Sequence, residues 1–453
     1  MSVITAPAEK SIAFATLGCK LNQFETDSLA TRFQNAGYRI VEFTEHADVY
    51  VVNSCTVTNR ADRKSRNLLS RARRRQTPGD SLVVLTGCFV DGHRDELEGD
   101  ANTYFVPNEQ KQSIPELVTG HFSGEVVHPQ GTVFDFPVPE RVFHTRSTVK
   151  IQDGCDNFCS FCIIPFVRGR ATSRPWQDVV AAVREAVDGG AREVVLTGVN
   201  MSRYADGDVD FEELIARCLE IDGPGKSGET PDYRLRISSL EPDQLTDRFL
   251  RLFRHPRMCP HLHLCLQSGS EEILRAMRRQ YTYDHYLGLM RELRGIDPLF
   301  NVTTDIIVGF PGETDDEFAR SLAAVDEAGF GHVHTFPYSV RAGTPAARMG
   351  NHVSARVKTD RSAAIRGAAE RSKRRYREQL VGHTERMLVE RSEVNGKEVL
   401  VYELGEHYVP LEARFRPNAD PGSTARTLHN RFLDVRVESL VDGDDPVLRG
   451  TIV

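Results

Sequence analysis

No apolar run in this 453-residue chain approaches the roughly 18 residues that a membrane-spanning helix needs. The opening stretch "MSVITAPAEKS" lacks the basic and apolar regions of a signal peptide. Both absences lead to the expectation of a cytoplasmic protein with no membrane partner. Nine cysteines are too sparse for a disulfide scaffold, and in a reducing compartment clustered thiols bind metal or carry redox chemistry. An excess of positive charge is missing too: the formal net charge of −7 argues against a surface that grips nucleic acid everywhere. Tryptophan occurs once, as Trp176 at an expected helix start, where it reads as packing rather than base stacking. The 40% hydrophobic and 27% charged residues that are present make a globular composition, and the length is that of two or three domains.

A more specific shortage lies in "DGCDNFCSFC", residues 153–162, where Cys155, Cys159 and Cys162 stand without a fourth cysteine. A [4Fe-4S] cluster normally takes four thiolates, so three leave one iron with an open position. Zinc on these three cysteines and a distant histidine is the competing assignment, although no helical His signature follows.

The chain begins as a repeated strand-then-helix pattern. Strands are expected at "SIAFATLG", "ADVYVVNS" and "SLVVLTG", with helical stretches at 25–36 and 61–75 between them. Each strand ends in a cysteine: Cys19, Cys55 and Cys88. In a parallel βαβ sheet the carboxyl ends of all strands share one edge, where ligands bind, so the three would meet in space. Residues 107–145, rich in Pro, Gly and polar residues, read as a connector with at most a short helix and strand.

From about 146 the alternation resumes with "STVKIQD", "REVVLTGVN", "YRLRISSLE", "HLHLCLQSG", "FNVTTDIIVGF" and "HVHTFPYS". Six βα units imply a barrel or partial barrel whose working face is the strand carboxyl ends. Capping-box signals at Ser268-x-x-Glu271 and Thr314-x-x-Glu317 place helix starts after the fourth and fifth strands. Beyond 378, "TERMLVERSEVNGKEVLVYEL" is a hairpin around Asn395-Gly396, with more short strands expected near "HYVPLEARF", "STARTL" and "NRFLDVRVESL". This points to a small β-barrel.

Cys155-x3-Cys159-x2-Cys162 directly after the first barrel strand is similar to the signature of the radical S-adenosylmethionine (SAM) superfamily. That resemblance implies a cluster whose open iron chelates SAM and, when reduced, cleaves it to a 5′-deoxyadenosyl radical. It implies SAM contacts at Phe161 (adenine), at Gly198, Val199 and Asn200 (methionine amino group), at Ser238, Ser239 and Glu241, at Gln267 and Ser268 (ribose), and along Asp305 to Glu313, including Gly309. With the amino-terminal trio and the carboxyl-terminal barrel added, nearly the whole chain resembles the methylthiotransferases. The implied organisation is an α/β fold in three parts: residues 1–143, a parallel α/β domain holding a second [4Fe-4S] cluster on Cys19, Cys55 and Cys88; 144–376, a partial (βα)6 radical SAM core; and 377–453, an OB-like β-barrel resembling the family's RNA-binding TRAM module. The implied reaction attaches a methylthio group to an unactivated carbon, with an electron donor such as a flavodoxin or ferredoxin and a sulfur donor that the sequence does not identify.

Family members act on prenylated adenosine in tRNA, on threonylcarbamoyladenosine in tRNA, or on an aspartate of a ribosomal protein. "TLGCKLNQFET" around Cys19 most resembles the threonylcarbamoyladenosine subgroup, acting at position 37 beside the anticodon; the prenyl subgroup favours Gln after that cysteine. An anticodon stem-loop partner fits two basic runs, residues 60–75 and Arg366 to Arg377. Arg168 and Arg170 are candidates for substrate contact, and Arg414, Arg416, Arg426 and Arg431 for an RNA patch on the last domain. Cys218, Cys259 and Cys265 read as ordinary packed thiols. A non-catalytic iron-sulfur RNA-binding protein is the rival from another class, but it would have no use for two three-cysteine sites.

Overall fold

The computed structural model describes residues 10–76, 81–139, 146–222, 232–418, 420–443 and 445–453. Near-continuous apolar runs make the first sheet's central strands, as expected where both faces are covered by helices. Its strands are β1 (Ser11–Thr16), β2 (Arg39–Val41), β3 (Val49–Ser54), β4 (Leu82–Gly87) and β5 (Thr103–Val106), in the order β2-β1-β3-β4-β5 and all parallel. Along β3, Val49 and Val51 enter the core on one face while Tyr50 and Val52 enter the core on the other. β2 and β5 were not anticipated; both are short edge strands. The helices begin earlier than expected, at Lys20 and Asn59, the second capped by the Thr58 side chain. The connector contributes the helix Ile114–Ser123.

All six expected strands of the second unit are present: β6 (Ser147–Lys150), β7 (Glu193–Thr197), β8 (Arg234–Ile237), β9 (His261–Leu264), β10 (Asn301–Val308) and β11 (His332–Pro337). β8 pairs with β7 and β7 with β6; the chain then kinks at Ser238, and Ser239–Leu240 pairs with β9, which continues through β10 to β11. The result is a parallel partial barrel of the expected α/β class. Thr314 forms the expected capping box with Glu317. The helix after β9 is capped by Ser270, not Ser268, because the Ser268 hydroxyl is bonded to Ser321 at 3.1 Å.

The last unit is a curled six-stranded sheet of β12 (Thr384–Leu388), β13 (Arg391–Asn395), β14 (Glu398–Leu404), β15 (Pro410–Phe415), β16 (Phe432–Val441) and β17 (Val447–Ile452), ordered β12-β16-β17-β15-β14-β13. The strand expected at "STARTL" is instead the helix Pro421–Leu428. Asp420 accepts from the Ser423 N–H at its start and Pro421 opens the first turn, a combination that outweighs the β-branched content. The boundary expected at 376/377 falls within the helix Ala355–Gln379, whose Tyr376 and Leu380 sit in the carboxyl-terminal core. The boundary expected at 143/144 lies outside the described residues. Among the described residues, no helix is long and apolar enough to cross a membrane.

Candidate active site

The first three cysteines follow strand ends on one edge of the parallel sheet, which brings Cys19, Cys55 and Cys88 together. Cys19 is exposed at the start of the helix Lys20–Asn35, Cys55 is buried just beyond β3, and Cys88 is buried at the first turn after β4. Gly87 makes the turn into Cys88 possible: its φ is +96°, and a Cβ there would lie 2.4 Å from the Ser54 carbonyl oxygen. Burial pushes the Cys55 thiol up to about 11, and burial likewise raises Cys88 against the pull of the Arg168 and Lys111 charges. Asn108 Nδ2 donates to Cys88 Sγ at 3.7 Å.

The second trio lies on the loop after the first barrel strand. Gly154, at φ +68°, is forced: a Cβ would sit 2.0 Å from the Arg170 carbonyl oxygen. Cys155 Sγ accepts from the Asn157 N–H at 3.5 Å and from Asn200 Nδ2 at 3.7 Å, and Arg279 Nη1 donates to Cys159 Sγ at 3.2 Å. Burial, then the neighbouring Cys159, pushes the Cys162 thiol up to about 12.

All nine cysteines are free. Among the described residues, two groups of three or more ligating atoms converge within 4.8 Å, and neither contains a cysteine. Two thiolates on one zinc, each about 2.3 Å from the metal, can be no more than about 4.6 Å apart. Neither trio is therefore gathered for a single ion. Three thiols brought to one loop or one sheet edge, with amide and guanidinium donors aimed at sulfur, suit the negative charge of an iron-sulfur cluster.

A cavity of about 230 Å³ lies between the segment after Cys55 and the loop of the second trio, with Cys162 on its wall. Its lining includes Val57 and Thr58, just past Cys55, together with Phe161, Cys162, Gln267 and Asp305. Three of the expected SAM contacts are thus gathered beside one cluster cysteine. Asn200 lies against Cys155, and its N–H and that of Val199 donate to Gln152 Oε1 at 2.7 and 3.0 Å. Gly198 is pressed onto Gln152 and Met201, where a Cβ would come within 2.8 Å of Met201. Ser238 is buried with its hydroxyl 3.3 Å from that of Thr197, and Glu241 is paired with Arg279. Burial raises the Glu241 carboxyl against the opposing charge of Arg279. Ser268 and Gly309 stand apart from this cavity, Ser268 against Ser321 and Gly309 against Lys358 and Glu313.

Arg168 is no surface residue. It is buried at the interface of the first two units, 3.1 Å from Glu25 and 3.0 Å from Asp153, with Lys111 and Lys150 on the same carboxylates. Arg170 is exposed, pairs with Asp156 and lies over the Phe158 ring. In the long carboxyl-terminal helix, Lys373 and Arg377 hold Asp445, Arg374 holds Asp442 and Arg375 holds Asp326, so much of that basic run is committed to intramolecular pairs. In the last unit Arg414, Arg416, Arg426 and Arg431 are all exposed, with Arg414 paired to Glu412 and Arg416 to Glu398. The helix Asn59–Arg75 differs: Arg60, Arg63, Lys64, Arg71 and Arg74 are exposed along it.

The barrel interior was not singled out in the sequence, although alternation in "HLHL" and "HVH" carries the signal. Leu262, Leu264, Val302, Ile306 and Val333 face the outer core, so the intervening residues of β9 to β11 face inward. These are His261, His263, Asn301, Thr303, Asp305, His332 and His334. His263 bonds Thr303 Oγ1 at 3.0 Å and faces Asp305 at 3.3 Å. Burial, then the adjacent His334, brings His332 down to about 4. Tyr408, from the turn between β14 and β15, closes one end by stacking on His261 with centroids 4.5 Å apart.

Residues 149–325 match the radical SAM superfamily and residues 11–106 match the Uncharacterized protein family UPF0004. Similar curated proteins include the threonylcarbamoyladenosine tRNA methylthiotransferase MtaB of Bacillus subtilis, 38% identical over 78% of this chain and 78% of that protein. The protein of the same name from Thermotoga maritima is 36% identical over 84% and 87%. A tRNA-2-methylthio-N(6)-dimethylallyladenosine synthase of Methylibium petroleiphilum is 33% identical over 84% and 85%. Among solved structures, the radical SAM methyltransferase TsrM of Kitasatospora setae superposes with a TM-score of 0.53 at 14% identity, over 75% of this chain and 77% of that one.

Proposed function

The chain belongs to the radical SAM methylthiotransferases acting on tRNA, and from that premise we propose that it adds a methylthio group to C2 of threonylcarbamoyladenosine at position 37. The observation that carries this reading is the cavity shared by the two cysteine-bearing segments, with Val57 and Thr58 on one wall and Phe161 and Cys162 on the other. A substrate carbon held there touches both units at once.

In this reading Cys155, Cys159 and Cys162 hold the [4Fe-4S] cluster that binds SAM, while Cys19, Cys55 and Cys88 hold a second. When bound, these groups supply reductive SAM cleavage to a hydrogen-abstracting radical and the sulfur that becomes the methylthio group. The protein's own residues position and shield. Phe161, Gln267 and Asp305 line the SAM pocket, Asn200 and Arg279 donate to the Cys155 and Cys159 sulfurs, and the apolar walls Ile307 and Phe336 exclude water from the reacting carbon. The buried network of Glu25, Asp153, Arg168, Lys111 and Lys150 fixes the two cysteine trios relative to each other. The exposed cations of the helix Asn59–Arg75 engage the anticodon stem-loop, and a flavodoxin or ferredoxin supplies the electron. Threonylcarbamoyladenosine is preferred over a prenylated adenosine on two grounds: the "TLGCKLNQFET" text and three relatives at 35–38% identity that carry that substrate in their name, against 33% for the Methylibium petroleiphilum synthase.

The test is expression in cells lacking their own threonylcarbamoyladenosine methylthiotransferase, with digested tRNA nucleosides read by mass spectrometry. The expected result is 2-methylthio-threonylcarbamoyladenosine, abolished by Cys155→Ala and by Cys55→Ala. Loaded clusters without that nucleoside would overturn the substrate assignment and return it to a prenylated adenosine or a ribosomal-protein aspartate.

A further inference from the structure

The partial barrel encloses a polar interior, and its charges are unevenly matched. Arg234 and Arg236 share the carboxylate of Glu193, at 2.6 and 2.8 Å. Lys150 is held by Glu25 and Asp153, and Arg279 by Glu241. Lys20 stands apart. It is the first residue of the helix Lys20–Asn35, directly after Cys19, and its ammonium lies 4.9 Å from the centre of the Tyr408 ring and within hydrogen-bonding reach of the Tyr408 hydroxyl. It is exposed and makes no salt bridge among the described residues.

Three units converge at this point. Lys20 comes from the first domain, Tyr408 from the last, and His261, on which Tyr408 stacks, from the barrel. Tyr408 adopts φ +62°, a left-handed conformation that a tyrosine seldom takes, and the backbone around it is anchored by Asn301 Nδ2 donating to the His407 carbonyl at 2.7 Å. The surrounding imidazoles are held neutral by burial, His332 near 4 and His261 and His334 below their usual value. Asp305, the carboxylate on this wall, is turned to His263. An ammonium set among neutral hydroxyl and imidazole groups, without a carboxylate of its own, is a receptor for an anion.

We infer that Lys20, with the Tyr408 hydroxyl beside it, binds the carboxylate of the substrate's threonyl side chain and selects it against neutral side chains on the same adenine nitrogen. This deepens the proposed function and rests on it. A threonylcarbamoyl group carries a carboxylate, a hydroxyl and two amide-type N–H groups, each of which finds a partner among Lys20, Tyr408, Thr303 and the neutral histidines. A prenyl group carries none, and its burial here would strip water from the ammonium and the inward-facing polar residues with nothing in return.

The test uses the full-length protein, reconstituted anaerobically with both clusters, and a short anticodon stem-loop RNA bearing threonylcarbamoyladenosine either as the free acid or as its neutral methylamide. Wild-type protein should bind the acid about tenfold more tightly than the amide. Lys20→Met should bring the two within about twofold by weakening the acid alone, and Lys20→Arg should keep the preference. Equal binding of acid and amide by the wild type overturns the inference, as does a preference that survives in Lys20→Met. If Lys20→Met fails to load its clusters, the wild-type comparison and Lys20→Arg still decide. Methylthio transfer to the acid RNA without any acid preference would sink the role of Lys20 and leave the substrate reading standing. Transfer only to a prenylated RNA would remove both.

Discussion

Arg168 shows how differently a residue reads in sequence and in space. In "VRGRATSRP" it is one of several surface-like arginines; in the fold it is buried between carboxylates that lie 143 and 15 residues away. Nothing local marks it, because Glu25 comes from another domain and Asp153 from the far side of the cysteine loop. The two cysteine trios, by contrast, could be grouped from the sequence, the first because each member follows a strand end and the second because its spacing is local. The ion network has a sign that can be tested. Burial alone would raise the Glu25 carboxyl, but Arg168, Lys111 and Lys150 hold it well below its ordinary 4.5, and Asp153 is lowered in the same way. A depressed carboxyl adds stability that is complete above its unfolded value and is lost as the pH falls through the folded one. Protection of the helix Lys20–Asn35 in hydrogen exchange should therefore hold from neutral pH down to about 4.5 and fall only below it. Arg168→Met leaves the carboxylates short of one cation, so protection should drop by about 3–5 kcal/mol at neutral pH, and the acid loss, still beginning near 4.5, should be smaller and finish at higher pH. Unchanged protection in the variant would show that Arg168 does not hold the interface.

At the scale of elements, the six barrel strands were legible because each is an apolar run bounded by polar caps. The two short edge strands were not: three or four residues leave too little pattern. The Pro421–Leu428 helix was misread because its β-branched residues suggested a strand while the Asp-Pro start decides the outcome locally. The basic runs illustrate the same limit, since charge composition alone does not reveal which cations are already paired. The helix Ala355–Gln379 spends Lys373, Arg374, Arg375 and Arg377 on acids of its own chain. The helix Asn59–Arg75 keeps Arg63 and Arg71 exposed, with no carboxylate partner among the described residues. Affinity for an anticodon stem-loop should therefore fall with salt, and Arg63→Ala with Arg71→Ala should reduce the slope of log K against log salt by about one unit each. Neutralising Arg374 and Arg375 should leave the slope unchanged. A slope insensitive to the first pair would move the RNA footprint off this helix.

At the scale of the whole molecule, the carboxyl-terminal sheet closes one end of the barrel. Arg234 donates to the Arg386 carbonyl at 2.7 Å and Arg236 to the Glu406 carbonyl at 3.1 Å, so two barrel arginines already fixed by Glu193 also hold the sheet. The turn between β14 and β15 then brings Tyr408 against His261, with the neighbouring His407 clasped between Glu385 at 2.6 Å and Asp297 at 2.9 Å. Both ring nitrogens of His407 face carboxylates, an arrangement that satisfies both only when the imidazole is protonated. Burial works against that charge, yet the bonds to Asp297 and Glu385 push His407 up to about 10. A raised histidine contributes stability that is complete below its unfolded value near 6.5 and is lost as the pH rises through the folded value. His407→Gln should therefore cost about 3 kcal/mol at pH 7, seen as an earlier thermal transition of the carboxyl-terminal unit. The gap between variant and wild type should be widest below about pH 6.5, narrow steadily above it and close as the pH passes about 10, where the wild type loses the charge that the variant never had. The same loss should loosen Tyr408 at the closed end of the barrel, so the acid-over-amide preference for RNA should weaken in His407→Gln while cluster content stays intact. A variant as stable as the wild type at pH 7, or a gap that persists above pH 11, would mean that the clasp is not what seats the sheet.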